Sequence, residues 1–167
     1  MKFNEKNIRE LNKSPIKLIA DEWALLSAGK CGAWNTMTIS WGGIGELWGK
    51  DAAFVFVRPQ RYTREFIESS DMFSLSFFGG KYKDELSLCG SKSGRDTDKS
   101  LLTGLTPVFD NGAVYIRQAE LVLVCRKMAF FDLEPKGFTD KKIENNYSNG
   151  DYHRMYVGEI VKTLEKS

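Results

Sequence analysis

The chain has 167 residues, a length typical of one domain, so we expect a single domain over residues 1–167 with a hydrophobic core of its own. Its hydrophobic share of 42% and charged share of 28% are ordinary for a globular protein. The 24 Lys and Arg residues nearly balance the 22 Asp and Glu residues, which argues against a nucleic-acid-binding protein, and no apolar run approaches the ~18 residues of a membrane span.

Side chains suited to metal binding or acid–base chemistry are scarce. His153 is the only histidine, and Cys31, Cys89 and Cys125 lie far apart. This spacing fits neither a disulfide framework nor a zinc site, so we predict no metal, free buried thiols and a reducing, cytoplasmic location. The N-terminus has no apolar stretch behind its charges, which predicts no secretory signal. A cofactor is expected to supply any chemistry.

In chain order, residues 4–12 are predicted to form a short helix before Pro15. The β-prone runs that follow are residues 23–27, 33–41, 52–57, 73–78, 113–131, which can bend near 117–120, and 155–161. Helical pieces are predicted at 61–69, 82–89 and 96–102, the last with Asp96 as its N-cap. Strands outnumber helices without alternating with them. We therefore predict a mainly β fold, an antiparallel barrel with a few peripheral α-helices, rather than a doubly wound parallel sheet.

The glycine-rich segment 41–50 does not fit a nucleotide-binding loop. A dinucleotide fingerprint requires a spacing of glycines that is absent after Gly45, and a P-loop requires Ser or Thr where Asp51 follows Lys50. We predict that this segment is a hairpin connection between two strands.

The segment 57–64 leaves a buried strand and enters a predicted helix, a place where backbone N–H groups favour an anion. Arg58 and Arg61 add fork-shaped donors and Thr63 adds a hydroxyl. These residues are candidates for binding a phosphate. A solvated basic turn, with Tyr62 packed inward, is the alternative.

Three further segments carry polar groups with two open interpretations each. The strand 33–41 has polar residues on both faces, which a flat heteroaromatic ligand, a neighbouring strand or water would satisfy. Residues 89–96 leave a predicted helix through Gly90 and either touch a ligand edge with Lys92 or form a corner between helices. His153 is either a functional group or, as a lone histidine more often is, a structural or surface residue.

Taken together, these segments resemble the flavin reductase-like, FMN-binding split-barrel family, and in particular its flavoredoxin-type members. The matching segments are residues 35–43, 57–63, 73–78, 89–96 with 98–99, and 151–154 with 158–160. They occur in the family's order and cover nearly the whole chain. Each one is a weak signal, but five in register are specific.

The resemblance implies a Greek-key split β-barrel that forms a homodimer, with FMN near the subunit interface. It implies that the flavin ring and tail are lined by Asn35, Thr36, Met37 and Thr38. It implies that the phosphate is held by Arg58, Arg61 and Thr63. It implies that the ring or ribityl chain is bordered by Phe77, Phe78, Cys89, Gly90, Ser91 and Lys92.

The leading functional hypothesis is hydride transfer from NADH or NADPH to flavin N5, because the cofactor then carries the reaction in a chain with one histidine. Trp41 or His153 would border the open face of the ring, with His153 as the candidate catalytic residue. Two alternatives remain. One is a non-catalytic FMN electron carrier that serves a partner protein, and the other is a scaffold or ligand-sensing barrel without a redox role. The sequence indicates neither the preferred nicotinamide nor the electron acceptor.

Overall fold

The structure, a computed structural model that describes residues 2–167, is built on one eight-stranded antiparallel sheet and a small two-stranded sheet. The strands are β1 (Phe3–Lys6), β2 (Ala24–Lys30), β3 (Ala33–Ile39), β4 (Gly42–Leu47), β5 (Lys50–Val57), β6 (Met72–Phe77), β7 (Pro107–Asp110), β8 (Ala113–Ile116), β9 (Leu121–Asp132) and β10 (Arg154–Lys166). The α-helices are α1 (Thr63–Glu68), α2 (Lys83–Ser91) and α3 (Lys99–Thr103). Shorter helical turns, one π and three 3₁₀, cover Lys17–Glu22, Ile8–Glu10, Pro135–Gly137 and Lys141–Asn146.

The large sheet has the order β3-β2-β6-β9-β10-β5-β4, with β1 also paired to β10. The first half of β10 pairs with β5 and its last four residues pair with β1, so the sheet opens around this strand. Two register shifts between β10 and β9 bend it, as β-bulges do. Gly158 lies at the first bend, where a Cβ would stand 2.5 Å from the Phe73 ring. This confirms the predicted mainly β split barrel with few helices.

The sheet buries apolar side chains on both faces, because successive strand residues point in opposite directions. Leu26 and Leu123 belong to the core inside the barrel, whereas their neighbours Leu25 and Val122 belong to a second core. This second core also contains side chains from α2 and from β8. In residues 2–167, no helix has both the length and the apolar character needed to span a membrane.

The predicted helix over residues 4–12 is wrong. The chain there forms β1, whose residues pair with the end of β10, and only Ile8–Glu10 is helical. Phe3 packs edge-on against Tyr115, and Asn7 caps the short turn. Pairing with a strand distant in sequence therefore overrides the local helical pattern, and single-sequence reasoning does not detect such pairing.

The glycine-rich segment is more than the predicted hairpin connection, because Gly42–Leu47 is itself strand β4, paired with β5 along its length. The tight turn is confined to Trp48 and Gly49, both with positive φ. Gly42 is needed for close approach, since a Cβ there would lie 2.6 Å from the Phe54 carbonyl oxygen.

Several boundaries also differ from the predictions. Helix α3 begins after Asp98, whose carboxylate accepts the N–H groups of the first turn, rather than after Asp96. Helix α2 continues through Gly90 to its end, and β10 extends well beyond the predicted residue 161. The sequence predicts one long run over 113–131 with a bend near 117–120, but the structure interrupts it there and forms two strands, β8 and β9, in different sheets. All three cysteines are free, but Cys31 is exposed rather than buried.

Candidate functional site

Two adjoining cavities lie beside strand β3, between the end of β5 and the loop after α2. The first cavity, of about 150 Å³, is lined by Met37, Thr38, Ile39, Ser40, Trp41, Phe56, Arg58, Arg61 and His153. The second cavity, of about 460 Å³, is lined by Asn35, Met37, Arg58, Gln60, Arg61, Tyr62, Thr63, Gly90, Ser91, Lys92, Ser93, Gly94, Lys99 and Asp151. They share Met37, Arg58 and Arg61, so together they offer one continuous surface. Ligand pockets typically measure ~300–1,000 Å³.

Asn35 fixes strand β3 to the start of α1 at the edge of the second cavity. Its side-chain amide donates a hydrogen bond of 3.0 Å to the Thr63 hydroxyl, and both residues are buried. The loop backbone closes tightly over this amide, because a Cβ on Gly94 would stand 2.2 Å from Asn35 Oδ1. The amide orientation is therefore set by its surroundings.

Arg58 and Arg61 divide the positive charge unequally. Arg58 Nη1 donates to Asp151 Oδ2 at 2.5 Å and Nη2 donates to the Asn146 carbonyl at 2.9 Å, so most of its charge is matched within the protein. Arg61 donates from Nη1 to the Gly90 carbonyl and has no carboxylate partner in residues 2–167. Burial, and then the charge of Arg58, lower the pKa of Arg61. A guanidinium has five N–H donors, so Arg61 keeps unused donors at the cavity.

Lys99 is a functional candidate absent from the sequence-based site. Its ammonium group is buried and donates hydrogen bonds of 2.7 Å to the carbonyl oxygens of Thr36 and Cys89. Burial lowers the pKa of Lys99 to about 8. An ammonium has three donors, and within residues 2–167 the third has no partner. The overlooked signal is its position directly after the Asp98 cap, in a first helical turn where the dipole disfavours a cation.

The second cavity carries a net positive charge. Its cations are Arg58, Arg61, Lys92 and Lys99, and its one carboxylate is Asp151. Hydrogen bonds from Gln60, and then from Arg58, lower the pKa of Asp151. This carboxylate therefore stays ionised and offsets Arg58, while the remaining cations favour an anionic ligand.

The first cavity is different because its histidine is neutral. His153 is buried, and its ring lies 5.3 Å from the Trp41 ring and 6.4 Å from the Phe56 ring, centroid to centroid. Burial, and then the charge of Arg58, lower the pKa of His153 to about 4. The imidazole is thus uncharged at neutral pH. Trp41 is 47% exposed and borders the opening.

The structure brings most of the sequence-predicted site residues together around the two cavities, namely Asn35, Met37, Thr38, Arg58, Arg61, Thr63, Gly90, Ser91, Lys92 and His153. It does not bring Phe77 or Phe78 to either cavity, because both side chains are fully buried in the cores. The side chains of Thr36 and Cys89 also do not line either cavity. The Thr36 hydroxyl bonds to Ser27, and burial raises the pKa of the Cys89 thiol. Both contribute carbonyl oxygens to Lys99 instead.

Within residues 2–167, no three His, Cys, Asp or Glu side chains lie close enough to share a metal ion. The arrangement instead suits an organic anion with a flat ring. The cations of the second cavity would hold the anion. Strand β3, which lies at the edge of the sheet, keeps backbone groups on its free side for a ring with polar edges.

Comparison with known proteins shows the family and the fold. Residues 18–167 match the family model described as flavin reductase like domain. A flavoredoxin from Methanosarcina acetivorans is 25% identical, with a TM-score of 0.67 over 97% of this chain and 76% of that chain. An FMN-binding domain of a flavin reductases-like enzyme from Shewanella baltica is 19% identical, with a TM-score of 0.70 over 98% and 77%. No curated protein matches the sequence.

A third similar structure is the NADH:FAD oxidoreductase SgcE6 from Streptomyces globisporus. It is 14% identical, with a TM-score of 0.64, and covers 87% of this chain and 75% of that chain. At this identity the likeness concerns the fold alone, as it does for the Shewanella protein. The shared fold extends over nearly the whole chain in each case.

Proposed function

The chain belongs to the flavin reductase-like domain family, and on that premise we propose that it is an FMN-binding oxidoreductase. FMN occupies the two adjoining cavities, and NADH or NADPH is the electron donor. The observation that carries the proposal is the convergence of Arg61 and Lys99, two largely buried cations with unused donors, on one cavity.

The residues of the second cavity fit a phosphate. Arg61 and Lys99 supply charge-assisted donors, and Lys92 and Ser91 stand at the same wall. Hydrogen bonds that involve a charged group are worth ~1.5–3 kcal/mol each. Thr63, which the resemblance assigns to the phosphate, accepts the Asn35 amide through its hydroxyl oxygen and keeps its own O–H as a donor at the cavity. Arg58 is offset by Asp151 and contributes less.

The residues of the first cavity and of β3 fit a flavin ring. The ring's amide and carbonyl edges need donors and acceptors, which Asn35 and the free backbone edge of β3 provide. Met37 lies between the two cavities and offers a polarizable apolar surface for a flat ring. The Thr38 hydroxyl donates to the Leu86 carbonyl, which fixes the strand against α2.

A bound flavin supplies hydride acceptance from a nicotinamide, chemistry that side chains cannot perform. The protein orients the ring on β3, fixes the Asn35 amide through the close approach of Gly94, and presents the neutral His153 and the half-exposed Trp41 at the opening. His153 carries no charge at neutral pH, because its pKa lies near 4. A donor site at this opening is supported by the similar fold of SgcE6, whose structure is described in complex with NAD and FAD fragments.

The proposal includes a homodimer and a cytoplasmic location. Phe130 and Phe131 expose about half of their surface at the end of β9, which supports a covered interface. Light scattering of the purified protein tests the dimer. The three free cysteines support a reducing compartment.

The test mixes FMN-loaded protein with NADH and, separately, NADPH without oxygen, while the visible absorbance of the flavin is followed. Loss of the yellow absorbance with either donor supports a reductase. Absorbance that persists with both donors would contradict reductase activity.

The second candidate is an electron carrier that receives electrons from a partner protein. The 25% identity to a flavoredoxin favours it. A carrier requires tightly bound FMN that neither nicotinamide reduces, so the same experiment separates the two. Protein that binds no flavin at all would instead leave the scaffold or sensor alternative.

A further inference from the structure

Tyr147, which no part of the proposed flavin site includes, makes a direct contact with the only histidine. Its hydroxyl oxygen lies 2.9 Å from His153 Nδ1, and both residues are buried. Both backbones are held in place: the Tyr147 N–H donates to the Glu144 carbonyl at 2.8 Å, and the His153 carbonyl accepts from the Leu133 N–H at 2.9 Å. The contact is thus built into the fold.

The direction of this hydrogen bond follows from counting donors. A phenol carries one proton, and in residues 2–167 the Tyr147 hydroxyl has no acceptor other than His153 Nδ1. Burial raises the pKa of Tyr147, so the phenol keeps its proton. If His153 donated instead, the buried Tyr147 proton would have no partner, which costs about 1–3 kcal/mol. Tyr147 therefore donates and Nδ1 accepts.

The other ring nitrogen must then carry the imidazole proton. Nε2 makes no hydrogen bond within residues 2–167, and it is not among the polar atoms that are buried without a partner. Solvent therefore reaches it, and the ring lines the first cavity. The N–H of Nε2 is a free donor at that cavity.

We propose that Tyr147 is a positioning residue that locks His153 in the neutral Nε2–H form, so that the imidazole serves as a fixed hydrogen-bond donor to an uncharged acceptor in the first cavity. The acceptor class is a carbonyl oxygen on a flat ring. The nature of this acceptor rests on the proposed function. The tautomer and the role of Tyr147 do not.

The charges around the imidazole support the neutral form. Arg58 and Arg61 face it from the end of β5 and the turn after it, and Asp151 faces it from the loop before β10. Asp151 is engaged by Arg58, so it offers little to an imidazolium. The Arg58 guanidinium also lies over the Tyr147 ring, 5.2 Å from its centre. A donor that carries no charge suits a carbonyl rather than an anion.

The single histidine allows a direct measurement of the tautomer, because uniformly ¹⁵N-labelled protein gives one set of imidazole signals. At pH 7, without ligand, long-range ¹H–¹⁵N spectra should show a proton on Nε2 and none on Nδ1. A proton on Nδ1, or an imidazolium, would overturn the proposal.

Tyr147→Phe keeps the ring and removes the donor. We expect a measurable share of the Nδ1–H form in this variant. Tyr152→Phe is the matched control, because its ring lies 4.8 Å from that of Tyr147 while its hydroxyl makes no bond to His153. An unchanged tautomer in Tyr147→Phe, or an equal change in the control, would contradict the positioning role. A through-hydrogen-bond correlation between the Tyr147 hydroxyl proton and Nδ1 tests the same contact in the wild-type protein, should the variant not fold.

Two ligand additions identify the source of the acceptor. The His153 Nε2–H signal is followed as FMN is added, and then as NAD⁺ is added to the FMN-loaded protein. A shift in the first addition assigns the donor to the flavin, and a shift confined to the second assigns it to the nicotinamide. No shift in either, with FMN shown to bind by absorbance, overturns the donor role. Failure to bind FMN would count against the proposed function, whereas the tautomer measurement stands without it.

Discussion

The two cavities share one wall but differ in charge, and part of the difference lies in the ordinary pKa of the one buried base that each contains. Lys99 donates to two carbonyl oxygens and keeps a pKa of about 8, so it is mostly charged at neutral pH. His153 has only a phenol as its partner and faces arginines, so its pKa is about 4 and it is neutral. Burial lowers both pKa values. The pKa falls by a similar amount from 10.5 for Lys99 and from 6.5 for His153, so the higher ordinary pKa of lysine decides which base remains a cation and hence which cavity suits an anion.

The largest expected effect comes from removing the buried ammonium of Lys99, one of the four cations of the second cavity. Lys99→Met leaves the Thr36 and Cys89 carbonyls without their donor. We expect the free energy of unfolding to fall by up to about 3 kcal/mol, because two carbonyls lose a charged donor, while removal of the desolvation cost that lowers the Lys99 pKa offsets part of the loss. Urea unfolding measures it. Lys92→Met, at the same wall, is the control. An equally small loss of unfolding free energy in both variants would contradict the structural role of Lys99.

The next effect concerns His153, the neutral base of the first cavity, and the pH dependence of stability. The folded-state pKa of His153 is lowered from 6.5 to about 4, so its stabilising contribution is complete above pH 6.5 and is lost as the pH falls towards 4. A shift of this size corresponds to about 3 kcal/mol at most. His153→Gln, which keeps an N–H near the position of Nε2, should flatten the pH dependence of unfolding over this window. Equal slopes for variant and wild type would show that His153 protonates freely in the folded protein.

A third effect separates the two arginines. Arg61→Ala should weaken FMN binding about 10–100-fold, equivalent to ~1.5–3 kcal/mol, and riboflavin binding much less, because only FMN has a phosphate. Arg58→Ala should cost less, since Asp151 already offsets that charge. Arg64→Ala, on α1 outside both cavities and paired with Glu68, is the control. Equal losses for FMN and riboflavin in Arg61→Ala would contradict phosphate binding.

The smallest expected effect tests the tight closure over Asn35. Gly94→Ala places a Cβ where the Asn35 amide oxygen lies, so the amide must move and the Asn35–Thr63 hydrogen bond weakens. We expect a loss of about 1–2 kcal/mol in unfolding free energy, together with weaker flavin binding. Gly137→Ala has open space and is the control. Normal flavin affinity in Gly94→Ala would show that the amide does not touch the ligand.

Much of the fold follows from local pattern. Alternating and apolar runs predict the central strands. The resemblance assigns Asn35, Arg61 and Lys92 to one site, and in the structure all three line the second cavity. Pairing between distant segments accounts for the failures, such as β1 on the end of β10. The same limit applies to side-chain direction, because a one-residue change in strand position turns a side chain to the other face. Phe77 and Phe78 therefore lie in the cores, on opposite sides, although their segment belongs to the family pattern.

The roles of Lys99 and Tyr147 depend on partners that the sequence does not reveal. Lys99 meets the Thr36 carbonyl, which is 63 positions away in the chain, because α3 packs on α2 and α2 packs on β3. Tyr147 is near His153 in sequence, but a tyrosine six residues before a histidine gives no signal by itself. The roles of Lys99 and Tyr147 become visible only from their hydrogen-bond partners in the folded protein.

The central claim is that the second cavity binds the phosphate of a flavin mononucleotide, and affinity for FMN against riboflavin tests it most directly. Isothermal titration of the wild-type protein at low and high salt should give FMN a clear advantage that shrinks as salt screens the cationic cavity. Equal affinities for the two flavins, or no binding of either, would contradict the account.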